Sequence, residues 1–429
     1  MEGRATGRKK FRRGLPSKIR RFSRMIKFND GVEDESRAAA GSGDGDSSVV
    51  VDESKPYDSS AITTYIRDNW IRQKLCSEEV RFSTFKPTNL FVSTFNVNGK
   101  KPGDGSLRAW LSHNGTFPGK GNMPSLYVVG FQEIVDLSAA NVIATDSESH
   151  TRTLMWQDLL QNEINAIAKP RGIVYEPVAY KYLVGVALCI FVSSEHREHV
   201  GGVQSANAAS GIMGVLGNKG GSSIRFQFYD TTVCFVCSHL AAHRGNVGGR
   251  NSDFASILEK TEFKHQSGDD QAAKAPAHLS TASSESHADG TFGILDHDVV
   301  VWLGDLNYRI MEGVTIDVAY EMIEEGNRGI DYLLKWDQLN RERDAGRAFQ
   351  SFEEGDIRFL PSYKFIPGTD QFDNRKEKKM RVPAWCDRVL WRVRSGNQST
   401  TPDTGDGGRP FVELVDYARV DSIDVSDHK

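Results

Sequence analysis

The stretch Val299-Val300-Val301-Trp302-Leu303-Gly304-Asp305-Leu306-Asn307-Tyr308-Arg309 does most to constrain the fold. Five apolar residues run into Gly-Asp-Leu-Asn. A short continuous apolar run bounded by glycine reads as a buried strand. The polar residues then fall where the chain leaves the core. Asp305 and Asn307 are two apart, so in extended chain their side chains point the same way. A carboxylate and an amide side by side at a strand end can hold a water and an anionic oxygen together. The same residues also suit an ordinary turn, since Asp, Asn and Gly all favour one. The rest of the chain has to decide between the two.

At 429 residues the chain can hold two domains or one large one, and 38% apolar content suffices for a substantial core. No run of 18 apolar residues exists, so no transmembrane helix is expected. The N-terminus is charged and lacks an apolar h-region, so no secretory signal is expected. The five cysteines (Cys76, Cys189, Cys234, Cys237 and Cys386) are odd in number and scattered, which suits free thiols in a reducing compartment. Cys234 and Cys237 form a CxxC, but in an extended Thr-Thr-Val-Cys-Phe-Val-Cys they fall on opposite faces of a strand. They read as strand residues before a zinc or redox pair. The net charge of −4 hides an asymmetry: residues 1–27 carry +10, so the rest carries −14. Such a split points to an acidic partner for the N-terminus, either membrane or nucleic acid.

Within residues 1–29, Ile19, Phe22, Met25, Ile26 and Phe28 recur at roughly helical spacing, with Arg and Lys filling the other face. A basic amphipathic helix of this kind can lie on an anionic bilayer. A disordered basic tail and a transit-type peptide remain as alternatives. Residues 30–60 are acidic and small, a composition that cannot bury a core, and read as a linker. Residues 61–79 read as a helix, with Ile62, Ile66, Trp70, Ile71 and Leu75 near one face; 61–84 lead into the folded unit. Strands are expected at Leu90–Val97, Ser125–Gln132, Leu183–Val192, Ser222–Phe228, Thr232–Ser238, the opening run, Asp387–Val393 and Phe411–Val420. Helices interleave at about Thr151–Ala168 and Ile316–Leu339, and 265–293 reads as a low-complexity surface insertion. The pattern predicts one large mixed α/β unit.

Several strand ends carry polar residues: Phe95-Asn96-Val97-Asn98-Gly99, Phe131-Gln132-Glu133-Ile134, Ser238-His239-Leu240-Ala241-Ala242-His243 and Gly304-Asp305-Leu306-Asn307. Trp385-Cys386-Asp387-Arg388 and Ser426-Asp427-His428 follow near the terminus. Each alone has a plain reading, since a lone Glu is usually solvated and a lone His is more often structural. Together they supply Asn, Glu, Asp and His, an inventory for one hard cation and one phosphate. Mg²⁺ prefers few carboxylates, keeps its waters and binds with substrate phosphate. Ligation without Cys and with little His argues against zinc.

With these residues in hand, the chain resembles an inositol polyphosphate 5-phosphatase of the endonuclease/exonuclease/phosphatase superfamily. Trp302-Leu303-Gly304-Asp305-Leu306-Asn307-Tyr308-Arg309 and Pro383-Ala384-Trp385-Cys386-Asp387-Arg388-Val389-Leu390 carry the resemblance, with Gly217-Asn218-Lys219-Gly220-Gly221 and the strand-end motifs above. It covers about residues 85–429 and leaves out 1–60. The Ser-His-Leu-Ala-Ala-His form suggests the animal type II branch. The resemblance implies a DNase I-like, four-layer α/β (α+β) fold: a two-sheet β-sandwich flanked by helices, with the active site at one end.

The same resemblance implies roles. Glu133 would be the principal Mg²⁺ ligand, with Asn96 beside it and Asp427 near the metal. Asp305 would orient and deprotonate the attacking water, and Asn307 would hold that water or the phosphoryl oxygens. His239 and His428 would donate to the scissile phosphate, with Asp387 orienting His428. Tyr363, Lys364, Lys379 and Arg381 would grip a 4-phosphate, and Lys219 would lie near a 1-phosphate. A solvated charged loop is the plainer reading of Lys376, Lys378 and Lys379. The implied partners are phosphoinositide headgroups, with residues 1–29 on an anionic membrane surface. The implied location is cytoplasmic and peripheral to the membrane.

One departure stands out. The chain stops at Lys429, where family members usually continue with Pro-Val and a further strand. His428 is therefore expected on a fraying end. This leaves two other readings beside the phosphatase: a membrane-recruitment module with impaired catalysis, and a nuclease of the same superfamily with its basic arm on DNA. The Tyr363-Lys364 and Lys379-Met380-Arg381 segments favour the phosphoinositide branch over the nuclease.

Overall fold

The long apolar runs of the sequence become the central strands of two sheets. The computed structural model describes residues 86–103, 107–112, 123–136, 145–210, 219–264, 291–375, 380–394 and 412–429, with a few residues between 67 and 84. The basic arm at 1–29, the linker at 30–60, most of the expected helix at 61–79, positions 265–290 of the insertion and Lys379 lie outside the described residues. All described residues belong to one unit, Thr64–Lys429.

The first sheet is built from β1 (Leu90–Asn96), β2 (Leu126–Gln132), β3 (Tyr175–Leu183) and β4 (Val186–Ser193), in the order β1-β2-β4-β3. Next come β5 (Val200–Ala209), β6 (Gly220–Phe228) and β7 (Thr231–His239), then a small ribbon of β8 (Phe263–Lys264) and β9 (Thr291–Phe292). Then β10 (Val299–Asp305), β11 (Glu353–Glu354) and β12 (Asp387–Val393) complete a six-stranded sheet ordered β11-β12-β10-β7-β6-β5.

The two sheets face each other through Val128, Leu188 and Ile190 on one side and Phe226, Phe235 and Leu303 on the other. The outer face of the first sheet packs Tyr127, Val129 and Phe131 against the helix α1 (Thr145–Ala168). That helix buries Ser149, Thr153, Trp156, Leu160, Ile164 and Ile167, a spacing of three and four that makes one stripe. The outer face of the second sheet packs Val236, Val300 and Trp302 against Phe254 and Ile257 of α2 (Val247–Lys260). Layers of helix, sheet, sheet and helix result. Every residue of β2, β4 and β10 is buried, which is why these strands read as continuous apolar runs. Cys234 faces the outer cluster and Cys237 the inter-sheet one, so the CxxC does split across the two faces. No helix among the described residues is long and apolar enough to cross a membrane.

Register gathers the chemistry at one end. β10 runs parallel to β7 with Asp305 opposite His239, and antiparallel to β12 with Asp305 opposite Asp387. β1 runs parallel to β2 with Asn96 opposite Gln132. Gly304 makes this possible: its φ is +143°, and a Cβ there would lie 2.0 Å from the Ser238 carbonyl oxygen.

Four expectations change. The run 183–192 is not one strand: a turn with Gly185 at φ 76° separates β3 from β4. The helical stretch 316–339 is three pieces, α3 (Ile316–Glu324), α4 (Asn327–Leu334) and the start of α5 (Gln338–Asp344). Gly326 at φ 66° ends the first piece, and Asp337 caps the third by accepting from the Asn340 N–H. Residues 412–420 form no strand. There the Tyr417 hydroxyl donates to Glu354 Oε1 and accepts from the Val389 N–H, which ties the segment across the sheet edge. His428 does not fray. It is buried, and its neighbour Lys429 donates its N–H to the Ser362 carbonyl.

Candidate active site

Asp305 is the hub. It ends β10 and is 2% exposed. Its Oδ2 accepts from Asn96 Nδ2 at 3.0 Å, and its Oδ1 accepts from the Asn307 N–H at 3.0 Å. His239 Nε2 lies 3.2 Å from Oδ2 and 3.8 Å from Glu133 Oε1. Lys219 Nζ is in hydrogen-bond contact with the same imidazole nitrogen. On the other side, His428 Nδ1 lies 2.8 Å from Asp387 Oδ2. That oxygen also accepts from Ser362 Oγ at 2.7 Å.

Local chain geometry aims these groups. Glu133 and Asn307 both adopt positive φ just past their strands, at 53° and 56°. Asn307 then donates from Nδ2 to the Leu240 carbonyl at 3.1 Å, while Arg309 donates to its side-chain oxygen. Ser426 Oγ donates to the Asn96 carbonyl at 2.6 Å, which seats the Ser426-Asp427-His428 segment on β1.

The charges follow from burial and proximity. Burial alone would raise the Asp305 carboxyl, but His239, His428 and Lys219 outweigh it and hold the group far below the usual carboxylate range. Burial would lower His428, yet Asp387 overrides it and lifts the imidazole to about 9. Burial lowers His239, and Lys219 pushes the same way. Burial brings Lys219 down to about 8, against the pull of Asp305 and Glu133.

Of the residues expected in the site, Asn96, Glu133, Lys219, His239, Asp305, Asn307, Asp387 and His428 come together. Tyr363 lies beside His428, with ring centroids 4.6 Å apart and planes tilted by 42°. Lys364 pairs with Asp427, so that carboxylate stands outside the two groups of converging ligand atoms, Glu133-His239-Asp305 and Asp305-Asp387-His428. Arg381 is half-buried. Sequence reasoning gave no role to Ser362, Ser426 or Arg309. The guanidinium of Arg309 lies over the Tyr363 ring, 4.2 Å from its centroid. Arg309 and Ser426 sit inside the quoted motifs and Ser362 directly precedes Tyr363-Lys364, which was the available signal.

The donor set suits a hard divalent cation. Ligand atoms of Glu133, His239 and Asp305 lie within 4.8 Å of one another, two are carboxylates, and Glu133 is half-buried with an open side.

Comparisons with known proteins identify the family. Residues 93–429 match Endonuclease/Exonuclease/phosphatase family 2. A mouse type II inositol 1,4,5-trisphosphate 5-phosphatase is 34% identical over 333 residues, covering 78% of this chain and 30% of that protein. The chain thus spans under a third of that relative's length. An Arabidopsis thaliana type IV inositol polyphosphate 5-phosphatase 9 is 34% identical, covering 70% of each chain. The inositol polyphosphate 5-phosphatase domain of SPsynaptojanin was solved with inositol (1,4)-bisphosphate and a calcium ion. It is 31% identical with a TM-score of 0.59, over 76% of this chain and 82% of that one. The chain therefore belongs to the endonuclease/exonuclease/phosphatase family, in its inositol polyphosphate 5-phosphatase branch.

Proposed function

We propose that this chain is a Mg²⁺-dependent phosphatase that removes the 5-phosphate from phosphatidylinositol 4,5-bisphosphate and related phosphoinositides or inositol polyphosphates. The observation that carries this is the convergence on Asp305 of His239 from one side and the Asp387–His428 pair from the other. Phosphoryl transfer needs positioning and charge neutralisation more than covalent chemistry from the protein.

Asp305 stays ionised, accepts a hydrogen bond from the attacking water and takes its proton as the new P–O bond forms and the bond from phosphorus to the inositol oxygen breaks, that oxygen leaving as a hydroxyl with a proton from solvent. Asn307 holds the water or a phosphoryl oxygen. His428 is cationic at neutral pH and donates to the phosphoryl group, with Asp387 fixing its ring. His239 lines the opposite wall. Glu133 and Asn96 would hold the metal. Bound Mg²⁺ would neutralise charge on the phosphoryl and leaving oxygens. Tyr363, Lys364, Lys379 and Arg381 would grip the 4-phosphate, with Asp427 acting through Lys364.

Residues 1–29 would hold the protein peripherally at the anionic cytoplasmic leaflet, at ~1 kcal/mol per nearby Lys or Arg. A His428 seated on Asp387 supports catalysis over a recruitment-only module. The Tyr363–Lys364 segment beside the site supports a headgroup over nucleic acid. The test is phosphate release from phosphatidylinositol 4,5-bisphosphate vesicles with Mg²⁺ or with EDTA, beside Asp305→Ala. Release that stops with EDTA and falls ~10²–10⁴-fold in the variant is the expected result. A silent wild type would overturn the proposal.

A further inference from the structure

We infer that Arg309 is a positioning residue: its guanidinium fixes which way the Asn307 carboxamide faces, and so makes Asn307 a hydrogen-bond donor to the phosphoryl group. This rests on the 5-phosphatase reading above and decides between the two duties open to Asn307 there. A carboxamide has an acceptor at one end and two N–H donors at the other, in nearly the same shape, so its neighbours set which end faces which way. At Asn307 both neighbours are one-way groups. A guanidinium only donates and a backbone carbonyl only accepts. Arg309 Nη2 is in hydrogen-bond contact with Asn307 Oδ1, and Asn307 Nδ2 donates to the Leu240 carbonyl at 3.1 Å. Turned over, the amide would set N–H against N–H at Arg309 and oxygen against oxygen at Leu240. Asn307 is 2% exposed, so water would relieve neither clash.

The turn after β10 brings the guanidinium into place. Arg309 Nε also donates to the Asn307 backbone carbonyl, at 3.2 Å. One planar fork thus grips the main chain and the side chain of the same residue, which a lysine ammonium cannot copy. On its other side the guanidinium lies over the Tyr363 ring, which keeps it from turning away. The backbone of Arg309 is held separately. Its N–H donates to Gln338 Oε1 at 2.8 Å, and its carbonyl accepts from the Gln338 N–H at 2.9 Å. Those two bonds survive a change of side chain.

The orientation decides what Asn307 offers. One Nδ2 hydrogen goes to Leu240, and the second is left for the site. A donor there suits a non-bridging phosphoryl oxygen, which gains charge as transfer proceeds. Donation to the attacking water would occupy a lone pair that the attack on phosphorus needs, while Asp305 already accepts the water's proton. Asn307 keeps both its protons throughout. Without Arg309 the buried Oδ1 loses its donor, and the Leu240 bond alone holds the amide plane.

The test is a double-mutant cycle on the intact chain with inositol 1,4,5-trisphosphate. Arg309→Met is expected to lower kcat about 10-fold and Asn307→Ala about 10²-fold. The double variant should be no slower than Asn307→Ala alone, because Arg309 then has nothing left to orient. Losses that multiply would overturn the inference. So would a loss confined to KM, which would put Arg309 at work on Tyr363 only. Arg309→Lys is expected to fall between wild type and Arg309→Met. A nuclear magnetic resonance readout needs no turnover. In protein made with isotope-labelled asparagine, the Asn307 side-chain amide is the signal lost in Asn307→Ala. Arg309→Met should shift that signal and speed its hydrogen exchange, and an unchanged amide would overturn the inference. If Arg309→Met does not fold, Arg309→Lys carries the same measurements, with smaller changes in the same direction. A wild type inert on the trisphosphate would sink the 5-phosphatase reading alone, and the amide signal would still decide the role of Arg309.

Discussion

Asn96 Nδ2 donates to Asp305 Oδ2 at 3.0 Å, across 209 residues of sequence and from one sheet to the other. This bond joins the two halves of the sandwich at the point where the water-orienting carboxylate sits. Asn96→Ala leaves Asp305 buried with one oxygen short of a donor. A buried group stripped of its partner costs about 1–3 kcal/mol. The expected outcome is a lower midpoint in urea unfolding and a lower kcat together. A variant with wild-type stability and wild-type turnover would mean that the bond holds nothing in place.

The second prediction concerns the Asp387–His428 pair, 2.8 Å apart and buried. Asp387 favours the charged imidazole and lifts it to about 9, against burial that would lower it. Donation from His428 is therefore available below about pH 9 and lost as pH rises through that value. In Asp387→Asn the charge that raises His428 is gone, so the alkaline limb of the rate profile should move to lower pH. At neutral pH the variant should be slow, and acidification should restore part of the rate. An unshifted alkaline limb in the pH profile would assign that limb to another group.

Away from the site, His297 gives a pH-dependent stability. It is 1% exposed, accepts from Arg225 Nε at 3.1 Å and donates from Nδ1 to the Ile294 carbonyl at 2.9 Å. Burial pushes it down to about 4, and Arg225 pushes the same way. Its folded value is below its unfolded value of 6.5. The stability tied to the neutral ring is thus full above pH 6.5 and is lost as pH falls toward 4, by about 3 kcal/mol. The amide of His297→Gln can accept from Arg225 and donate to the carbonyl. The difference between wild-type and variant unfolding free energies should therefore slope across this window. A flat difference from pH 7 to pH 4 would remove His297 as the source.

How much of this was legible in the sequence depended on burial. Val299–Asp305 could be read because both faces are covered, so its apolar run is unbroken. The same logic misled at Leu183–Val192, where a hairpin turn hides inside an apolar run and only Gly185 marks it. β5 went unread because Gly201, Gly202, Gln204, Ser205 and Asn207 give it little apolar pattern. The expected fraying of His428 failed for a tertiary reason: Ser426 bonds to Asn96, and Asp387 bonds to His428, both far away in sequence. Motif residues at strand ends were visible as a set. Their convergence is a product of strand register, which the sequence does not display.

Arg388, one residue after Asp387, supports the site from inside the fold. Its side chain is fully buried between Asp337 at 3.1 Å and Glu354 at 2.6 Å, themselves 0% and 3% exposed. Asp337 also caps α5, and Glu354 also holds Tyr417. One guanidinium therefore ties a helix start, the sheet edge and the 412–420 segment to β12. Arg388→Met keeps much of the volume but leaves Asp337 buried without its cation and Glu354 with only Arg343, at 3.4 Å. Breaking a buried pair in this way costs about 3–5 kcal/mol. Lysine carries the charge but cannot reach both carboxylates with a planar fork, so Arg388→Lys should fall between wild type and Arg388→Met. The double change Asp337→Asn with Glu354→Gln should recover part of the loss in Arg388→Met, because the stranded charges are then gone. Chemical denaturation of wild type, the two Arg388 variants, the double change alone and the double change with Arg388→Met measures this. Strictly additive effects would mean that Arg388 contributes by packing and not by its charge.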